Sequence, residues 1–247
     1  MKQHKRLGGD DNLGYFTEWE RSSDNGCIYC GNPADTREHT PSKAFLNEPF
    51  PENLPTVPAC FKCNNGYSSD EEYVSCYLDV LKSKIYDDYV IKSKTAERLE
   101  KNIELSTVIK EQIQTVDGQV HFKYDEKRLI NVLVKLARGH AGYEFDYVNL
   151  DCEPSIWYSF AFNMTPEEIV AFNEITLMDK MPDVGARVYN RLCVVEDPQT
   201  GKNLYTFLEW VPVQDVEYRY NVYFDESDSI CAKISIGEML FCIVKLD

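Results

Sequence analysis

Apolar residues recur at helical spacing in the first half of the chain. From Tyr73 to Ile85 they fall on one face of a helix, and Ser69-Asp70-Glu71-Glu72 has the sequence of a capping box, with serine at the N-cap and glutamate three residues on. We therefore predict a helix that begins after Ser69. Another helix, with poorer periodicity, is predicted over about 95–112.

The strongest helical pattern covers about 125–139. Its apolar side chains form one face, and Gly139 is expected to end the helix. The opposite face carries Arg128, Lys135 and Arg138. Such a stripe is typical of a solvated helix face, and it can also supply contacts to phosphate groups. The sequence leaves both interpretations open.

From residue 186 onward the pattern is β, and turns are predicted both there and earlier in the chain. Asp117-Gly118 predicts a turn between two short strands, and Asp197 to Gly201 predicts a hairpin. Between them, Thr165-Pro166 predicts the start of a short helix, with threonine at the cap and proline at the first helical position. Strands are predicted at 155–162, 188–195, 204–211, 218–224, 231–236 and 239–246. The fold class is α+β, with a helical middle and an antiparallel β-rich C-terminal region.

Composition and charge narrow the classes of protein to consider. The chain has 247 residues, of which 43% are hydrophobic and 27% are charged, as in globular proteins. No apolar run reaches the ~18 residues needed to cross a bilayer, and the N-terminus is charged. We therefore expect a cytoplasmic protein that has no membrane partner. The net charge of −15 argues against binding nucleic acid by bulk charge.

That negative charge is unevenly distributed. Residues 1–63 hold 7 basic and 9 acidic side chains, whereas the remainder holds 19 basic and 32 acidic ones. The N-terminal part is thus nearly neutral. The acidic part is a candidate surface for a basic protein partner, or a means of keeping nonspecific binding to nucleic acid low.

Nine cysteines require an explanation in a reducing compartment, where they do not form a disulfide framework. Cys27 and Cys30 form one Cys-x-x-Cys pair, and Cys60 and Cys63 form a second. Two such pairs are typical of a structural zinc ion held by four thiolates. The 29 residues between the pairs exceed the usual spacing of a simple zinc ribbon, so a substantial insertion is expected there. The remaining cysteines are predicted to be small core side chains: Cys76, Cys152, Cys193, Cys231 and Cys242.

The insertion contains further motifs. Glu38-His39-Thr40-Pro41 is followed by Asn53-Leu54 and then by Cys60-x-x-Cys63-Asn64-Asn65. In this order and spacing, residues 27–73 resemble the HNH endonucleases, specifically the zinc-containing ββα-metal type. The resemblance implies an HNH nuclease module with structural zinc over 1–75. An acidic α+β domain of unknown role would follow over 76–247, helical to about 150 and then mostly β.

The resemblance also implies roles for individual residues. His39 matches the general base that takes a proton from the attacking water. Glu38 matches the acidic ligand of a catalytic Mg²⁺ or Mn²⁺ ion. Asn53 matches an asparagine that fixes the loop bearing the base, and Asn64 matches a second ligand of the catalytic metal.

Less specific candidates surround this set. Asn65 and Asp70 are further candidate ligands of the catalytic metal, although an acid in the first turn of a helix also complements the helix dipole without any metal. Arg37 and Lys43 are candidate contacts to DNA phosphates.

Two departures from the family pattern keep a second function open. The acid is Glu38 where aspartate is common, and Tyr67 stands where a lysine is often found. The leading expectation, as the resemblance implies, is a metal-dependent HNH endonuclease that hydrolyses DNA, in bacterial or phage defence. The alternative is a non-catalytic zinc-binding protein that binds nucleic acid or acts as an adaptor, and RNA is a weaker candidate substrate.

Overall fold

A computed structural model of the chain describes residues 26–145, 150–151, 153–178, 182 and 186–246, of which 203–205 are described by their backbone alone. Over these residues the structure is mixed α+β. The helices are α1 (Phe61–Gly66), α2 (Ser68–Ile85), α3 (Ser93–Lys101), α4 (Ile103–Gln112), α5 (Glu126–Phe145) and α6 (Pro166–Asn173). None of the described helices combines the length and apolar character that a membrane span requires.

The strands follow in chain order, and all described pairings between them are antiparallel. They are β1 (Thr36–His39), β2 (Thr56–Ala59), β3 (Ile113–Val116), β4 (Gln119–Phe122), β5 (Ser155–Phe160), β6 (Leu177–Met178), β7 (Leu192–Glu196), β8 (Asn203–Leu208), β9 (Val211–Gln214), β10 (Tyr218–Phe224), β11 (Ile230–Ile236) and β12 (Leu240–Leu246).

The chain divides into two compact units. Of the described residues, the larger unit combines 26–66 with those from 134 onward, and the smaller unit comprises 67–133. Of the segment predicted as a nuclease module, residues 26–66 share the larger unit with the C-terminal half of the chain, and 67–75 belong to the smaller unit.

The larger unit is built on a five-stranded sheet with the strand order β5-β12-β11-β10-β9. Strand β11 is buried along its whole length, and β10 and β12 are buried at most positions. Because both faces of these central strands are covered, their sequences are nearly continuous apolar runs. A three-stranded sheet of order β6-β8-β7 and the two-stranded β1-β2 hairpin complete the unit's strands.

Several sequence predictions for the larger unit are confirmed. Thr165 and Glu168 form a reciprocal capping box at the start of α6, with Pro166 in its first turn. The three C-terminal strands lie within a residue of their predicted positions. Among the described cysteines predicted to lie in the core, Cys231 and Cys242 are buried and Cys193 is half-buried. The prediction for Cys152 falls outside the described residues.

The predicted hairpin around Asp197 to Gly201 is correct, but its strands are shorter than predicted. Residues 187–191 form a 3₁₀ turn, so the first strand, β7, begins only at Leu192. The second strand ends at Leu208, and β9 begins separately at Val211. Val188 and Tyr189 before β7 and Trp210 and Val211 after β8 are apolar, which is why the pattern overestimated the strand lengths.

The smaller unit packs α2, α3, α4, the β3-β4 hairpin and the first part of α5. Cys76 in α2 is buried there, as predicted. The predicted turn at Asp117-Gly118 joins β3 to β4, and both of its residues have positive φ, as a tight hairpin turn requires.

The predicted cap at Ser69 is wrong. Helix α2 begins at Ser68 and has no side-chain cap, because Tyr67 before it is already in the right-handed helical region. The backbone carbonyl of Tyr67 accepts a hydrogen bond from the amide of Glu71. Helix α1 ends at Gly66, directly before Tyr67. Helix α2 therefore follows a residue that is already in the helical conformation, and no serine caps it.

The single helix predicted over 95–112 is two helices. Asn102 separates α3 from α4, and its side-chain oxygen accepts a hydrogen bond from the amide of Leu105. An asparagine that caps the following helix cannot also continue the preceding one, because the cap residue leaves the helical region. This break explains the poor periodicity of the segment.

Helix α5 does not end at Gly139 but continues to Phe145. Gly139 serves close packing in the larger unit instead. A Cβ atom at this position would lie 2.6 Å from Oγ1 of Thr40 and 3.4 Å from the hydroxyl oxygen of Tyr29. The glycine therefore lets the helix approach the loop that follows β1.

Candidate metal centre and adjoining site

The first cysteine pair lies in a tight turn before β1. The backbone carbonyl of Cys27 accepts hydrogen bonds from the amides of Cys30 and Gly31, at 3.2 and 2.7 Å. Gly31 has φ of +72°, a conformation that favours glycine. The amide of Ile28 donates to the carbonyl of Pro58 in β2, which fixes the turn against the hairpin.

The second cysteine pair lies at the junction of β2 and α1. Cys60 directly follows β2, and Cys63 is within α1. The amide of Cys63 donates to Sγ of Cys60 at 3.4 Å. At the start of α1, the amide of Phe61 donates to Oδ1 of Asp35 at 2.7 Å, so an aspartate that precedes β1 satisfies a free amide of the helix.

These two turns bring four sulfur atoms together. The Sγ atoms of Cys27, Cys30, Cys60 and Cys63 all lie within 4.8 Å of one another, and those of Cys30 and Cys60 are 3.7 Å apart. A tetrahedral zinc ion with zinc–sulfur bonds of about 2.3 Å separates its sulfur atoms by about 3.8 Å. The four cysteines can therefore hold a metal ion such as zinc.

The thiols of this cluster differ in acidity. The backbone amide of Asn32, and then its side chain at 3.2 Å, donate to Sγ of Cys30 and lower the pKa of this thiol to about 6. Burial raises the pKa values of Cys27 and Cys63. Cys30 thus presents the most readily formed thiolate of these three.

The hairpin and α1 are tied together by Asn64. Its Nδ2 atom donates to Oγ1 of Thr36 at 3.0 Å and to the backbone carbonyl of Arg37 at 3.2 Å. Its Oδ1 atom accepts no hydrogen bond from the residues that the structure describes. The predicted site residue Asn64 therefore lies directly beside strand β1, which carries Glu38 and His39.

Glu38 lies within β1, opposite Val57 in the register of the hairpin. The residue is buried, and its Oε1 atom accepts a hydrogen bond from Nζ of Lys135 at 2.7 Å. Within the described part of the chain, no donor contacts its Oε2 atom. The sequence did not predict this pair, since Lys135 was expected on a polar helix face, either solvated or in contact with phosphates.

The expectation for the polar stripe of α5 is therefore wrong at Lys135, which is 1% exposed. Arg138 also departs from it, because its Nε atom is buried without a hydrogen-bond partner in the described structure. Arg128, in the smaller unit, forms an ion pair with Asp70. The spacing of charges on a helix does not show which of them a distant strand will cover.

His39 ends β1 and is half-buried. Its Nδ1 atom is buried and has no hydrogen-bond partner among the described residues. Burial lowers the pKa of His39, the Lys43 ammonium lowers it further, and the Glu38 carboxylate acts in the opposite direction. A neutral imidazole of this kind can accept a proton.

The loop after His39 is held from two sides. The amide of Thr40 donates to the carbonyl of Pro55 at 2.9 Å, and Oγ1 of Thr40 lies 3.4 Å from Nδ1 of His140 in α5. Thr40 and His140 are both fully buried. No local pattern pairs His140 with this loop, because Thr40 and His140 are 100 residues apart.

The remaining candidates of the hairpin are exposed. Asn53 lies in the loop before β2 and makes no hydrogen bond to the described residues, so the predicted fixing of the loop is not seen at its side chain. Arg37 donates through Nε to Oγ1 of Thr56 at 2.8 Å. Lys43 lies over the ring of Phe50, 5.2 Å from its centroid. Both cations remain at the surface, where phosphate groups could reach them.

Two further candidate ligands of the catalytic metal have other partners. Nδ2 of Asn65 donates to the backbone carbonyl of Phe61, one turn earlier in α1, at 3.1 Å. In the smaller unit, Asp70 accepts from Nε of Arg128 at 2.8 Å and from Nδ2 of Asn131 at 3.1 Å. Both carboxylate oxygens of Asp70 are thus engaged, and the arrangement favours a structural role for this residue.

Comparison with known proteins adds no further information. No protein-family model, curated protein or solved structure matches this chain significantly. The function must be inferred from the site itself.

Proposed function

We propose that this protein is a metal-dependent HNH endonuclease that hydrolyses phosphodiester bonds in DNA, with a structural zinc ion in the four-cysteine cluster. The main support is the position of Asn64, whose side chain is bonded to the strand that carries Glu38 and His39. Three of the four residues to which the resemblance assigns roles, Glu38, His39 and Asn64, thus lie on one hairpin and one short helix.

The zinc ion has a structural role in this proposal. Four thiolates fill a tetrahedral coordination sphere and leave no open position for substrate. The cluster holds the turn before β1 against the junction between β2 and α1. Because the ion would bind residues from both turns, its binding would add to the stability of this segment.

Glu38, His39 and Asn64 would perform the chemistry. His39 would take the proton from the attacking water, for which a half-buried neutral imidazole is suited. Oxygen atoms are the ligands that Mg²⁺ and Mn²⁺ prefer, and Oε2 of Glu38 and Oδ1 of Asn64 are oxygen atoms without a donor in the described structure. When bound, the ion would stabilise the negative charge that develops on the leaving oxygen.

The partners follow from the distribution of charge. Arg37 and Lys43 lie exposed on or beside the hairpin and would contact DNA phosphates locally. The acidic remainder of the chain would keep nonspecific DNA binding low, or bind a basic protein that delivers the substrate. Strong binding of the protein alone to DNA at physiological salt would contradict this part of the proposal.

Nicking of a supercoiled plasmid tests the activity. Wild type, His39→Ala and His121→Ala would be incubated with Mg²⁺, with Mn²⁺ or with EDTA. His121 is the matched control, because it is an exposed histidine in β4 of the smaller unit. We expect nicking by wild type and H121A only with metal, and a rate at least about 100-fold lower for H39A. The zinc content of each variant confirms that the fold is retained.

A non-catalytic zinc module is the second candidate, and two observations favour it. Glu38 is already paired with a buried lysine, and the side chain of Asn53 makes no contact that fixes a loop. No nicking of plasmid DNA with any metal, by protein that retains its zinc, would support this candidate. A parallel incubation with single-stranded RNA identifies a ribonuclease, should DNA remain intact.

A further inference from the structure

The ion pair between Lys135 and Glu38 is the most unusual feature of the site. The Nζ atom of Lys135 and the Oε1 atom of Glu38 are 2.7 Å apart, and the two side chains are 1% and 11% exposed. A lysine is almost never this deeply buried unless it is paired. Helix α5 therefore brings a fixed positive charge to the carboxylate that the proposed function assigns to a metal ion.

A fixed ammonium group changes how such a carboxylate responds to metal ions. A divalent ion at Oε2 of Glu38 would lie close to the charge of Lys135 and be repelled by it. This repulsion is stronger in a buried site than in water, because the local dielectric constant is lower. Phosphate groups of a bound nucleic acid would add negative charge and offset the repulsion.

We propose that Lys135 is a resident counter-cation of Glu38, which competes with divalent metal and keeps metal binding weak until nucleic acid is bound. The inference rests on the proposed function in one respect, because it takes Glu38 as a ligand of the catalytic metal. Lys135 acts on the metal only through Glu38, so it is a positioning residue and touches neither substrate nor metal. The nuclease would remain largely without its catalytic ion when no substrate is present.

Direct measurement of Mn²⁺ binding tests this inference without reference to cleavage. Free Mn²⁺ would be followed by electron paramagnetic resonance in titrations of the zinc-loaded protein, for wild type, Lys135→Met and Lys127→Met. Lys127 is the matched control, because it is an exposed lysine of the same helix. We expect at least a tenfold lower Kd for Mn²⁺ in K135M and no change in K127M.

The double variant E38Q/K135M locates the effect. It should lose the gain in affinity, because the carboxylate that Lys135 neutralises has been removed. An unchanged or weaker affinity in K135M, or a gain that persists in the double variant, would overturn the inference. Should K135M fail to fold, as judged by zinc content and circular dichroism, K135Q provides the same comparison with a polar side chain.

The dependence on nucleic acid is tested in protein that carries His39→Ala, so that the DNA stays intact. Adding a short DNA duplex should lower the Kd for Mn²⁺ more when Lys135 is present than in the K135M background. Equal effects would overturn this part of the inference. If Mn²⁺ binds as expected but wild type does not nick plasmid DNA, only the proposed activity is contradicted. If wild type nicks DNA but K135M does not bind Mn²⁺ more tightly, only the role of Lys135 is contradicted.

Discussion

The Nε2 atom of His140 lies 2.7 Å from the hydroxyl oxygen of Tyr218, in the interior of the larger unit. The imidazole also stacks on the ring of Tyr220, with 3.7 Å between the ring centroids. The hydroxyl of Tyr220 in turn donates to Glu144, which forms an ion pair with Arg191. Helix α5 is thereby joined to β10 through a buried network of hydrogen bonds, ring stacking and an ion pair.

This network predicts a pH dependence of stability. Burial, with a further contribution from the charge of Arg191, lowers the pKa of His140 to about 3. Between the normal pKa of about 6.5 and this value, the unfolded chain binds a proton that the folded protein excludes, so stability falls as the pH falls. The slope for one proton is about 1.4 kcal/mol per pH unit.

Urea unfolding of wild type and His140→Gln between pH 7 and 5 measures this contribution. We expect the free energy of unfolding of wild type to fall by about 2 kcal/mol more than that of H140Q between pH 6.5 and 5. Other acid-sensitive groups are common to both proteins and cancel in the difference. If the free energies of unfolding of wild type and H140Q change with pH in parallel, His140 binds its proton in the folded state as well, which would contradict this prediction.

Gly139→Ala tests the contact between α5 and the loop after β1. The added Cβ atom would lie 2.6 Å from Oγ1 of Thr40, so we expect a destabilisation of about 1–3 kcal/mol, although alanine is the better helix former. Gly66→Ala, in α1, is the control, because a Cβ atom there meets nothing within 4 Å. Urea midpoints of both variants make the comparison, and equal or higher stability of G139A would contradict it.

Cys60→Ser tests the metal cluster. The loss of one thiolate should abolish binding of zinc and unfold the β1-β2 hairpin, because the metal supplies much of its folding energy. Cys193→Ser, which alters a half-buried cysteine outside the cluster, should retain the metal. Zinc analysis by mass spectrometry and the thermal midpoint are the measurements. Full zinc content in C60S would show that the cluster is not a four-thiolate site.

Asn64→Ala tests the bond between α1 and β1. Two hydrogen bonds to β1 would be lost, and we expect a destabilisation of about 1–2 kcal/mol together with a loss of any nicking activity. Asn65→Ala is the control, because Asn65 is the neighbouring asparagine of α1 and its Nδ2 atom donates within its own helix, to the carbonyl of Phe61. Similar losses in both variants would argue against a special role for Asn64.

The sequence predicted correctly those structural elements that depend on residues close together in the chain. The capping box at Thr165, the turn at Asp117-Gly118 and the two Cys-x-x-Cys pairs each depend on residues a few positions apart. The predictions from Ser69 and Gly139 were wrong because these residues do not cap or end a helix in this structure. A preceding helical residue starts α2, and close packing, not helix termination, requires the glycine.

The supports of the candidate site could not be predicted because they act over long separations. Lys135 lies 97 residues from Glu38, and His140 lies 100 residues from Thr40. A lysine or histidine on a helix has the same local pattern whether solvent or a distant strand faces it. Only the three-dimensional structure pairs these residues, and the pairing reassigns Lys135 from the surface to the site.

The larger unit is made of two chain segments with the smaller unit between them in sequence. During synthesis, the cysteine cluster and the β1-β2 hairpin leave the ribosome before the smaller unit does. The half of α5 that supports them and strands β5 to β12 emerge only later. Since domains generally fold as units, we expect the candidate site to gain its native contacts only once α5 and the later strands of the larger unit have been made. The order of translation would then place assembly of the site late in synthesis.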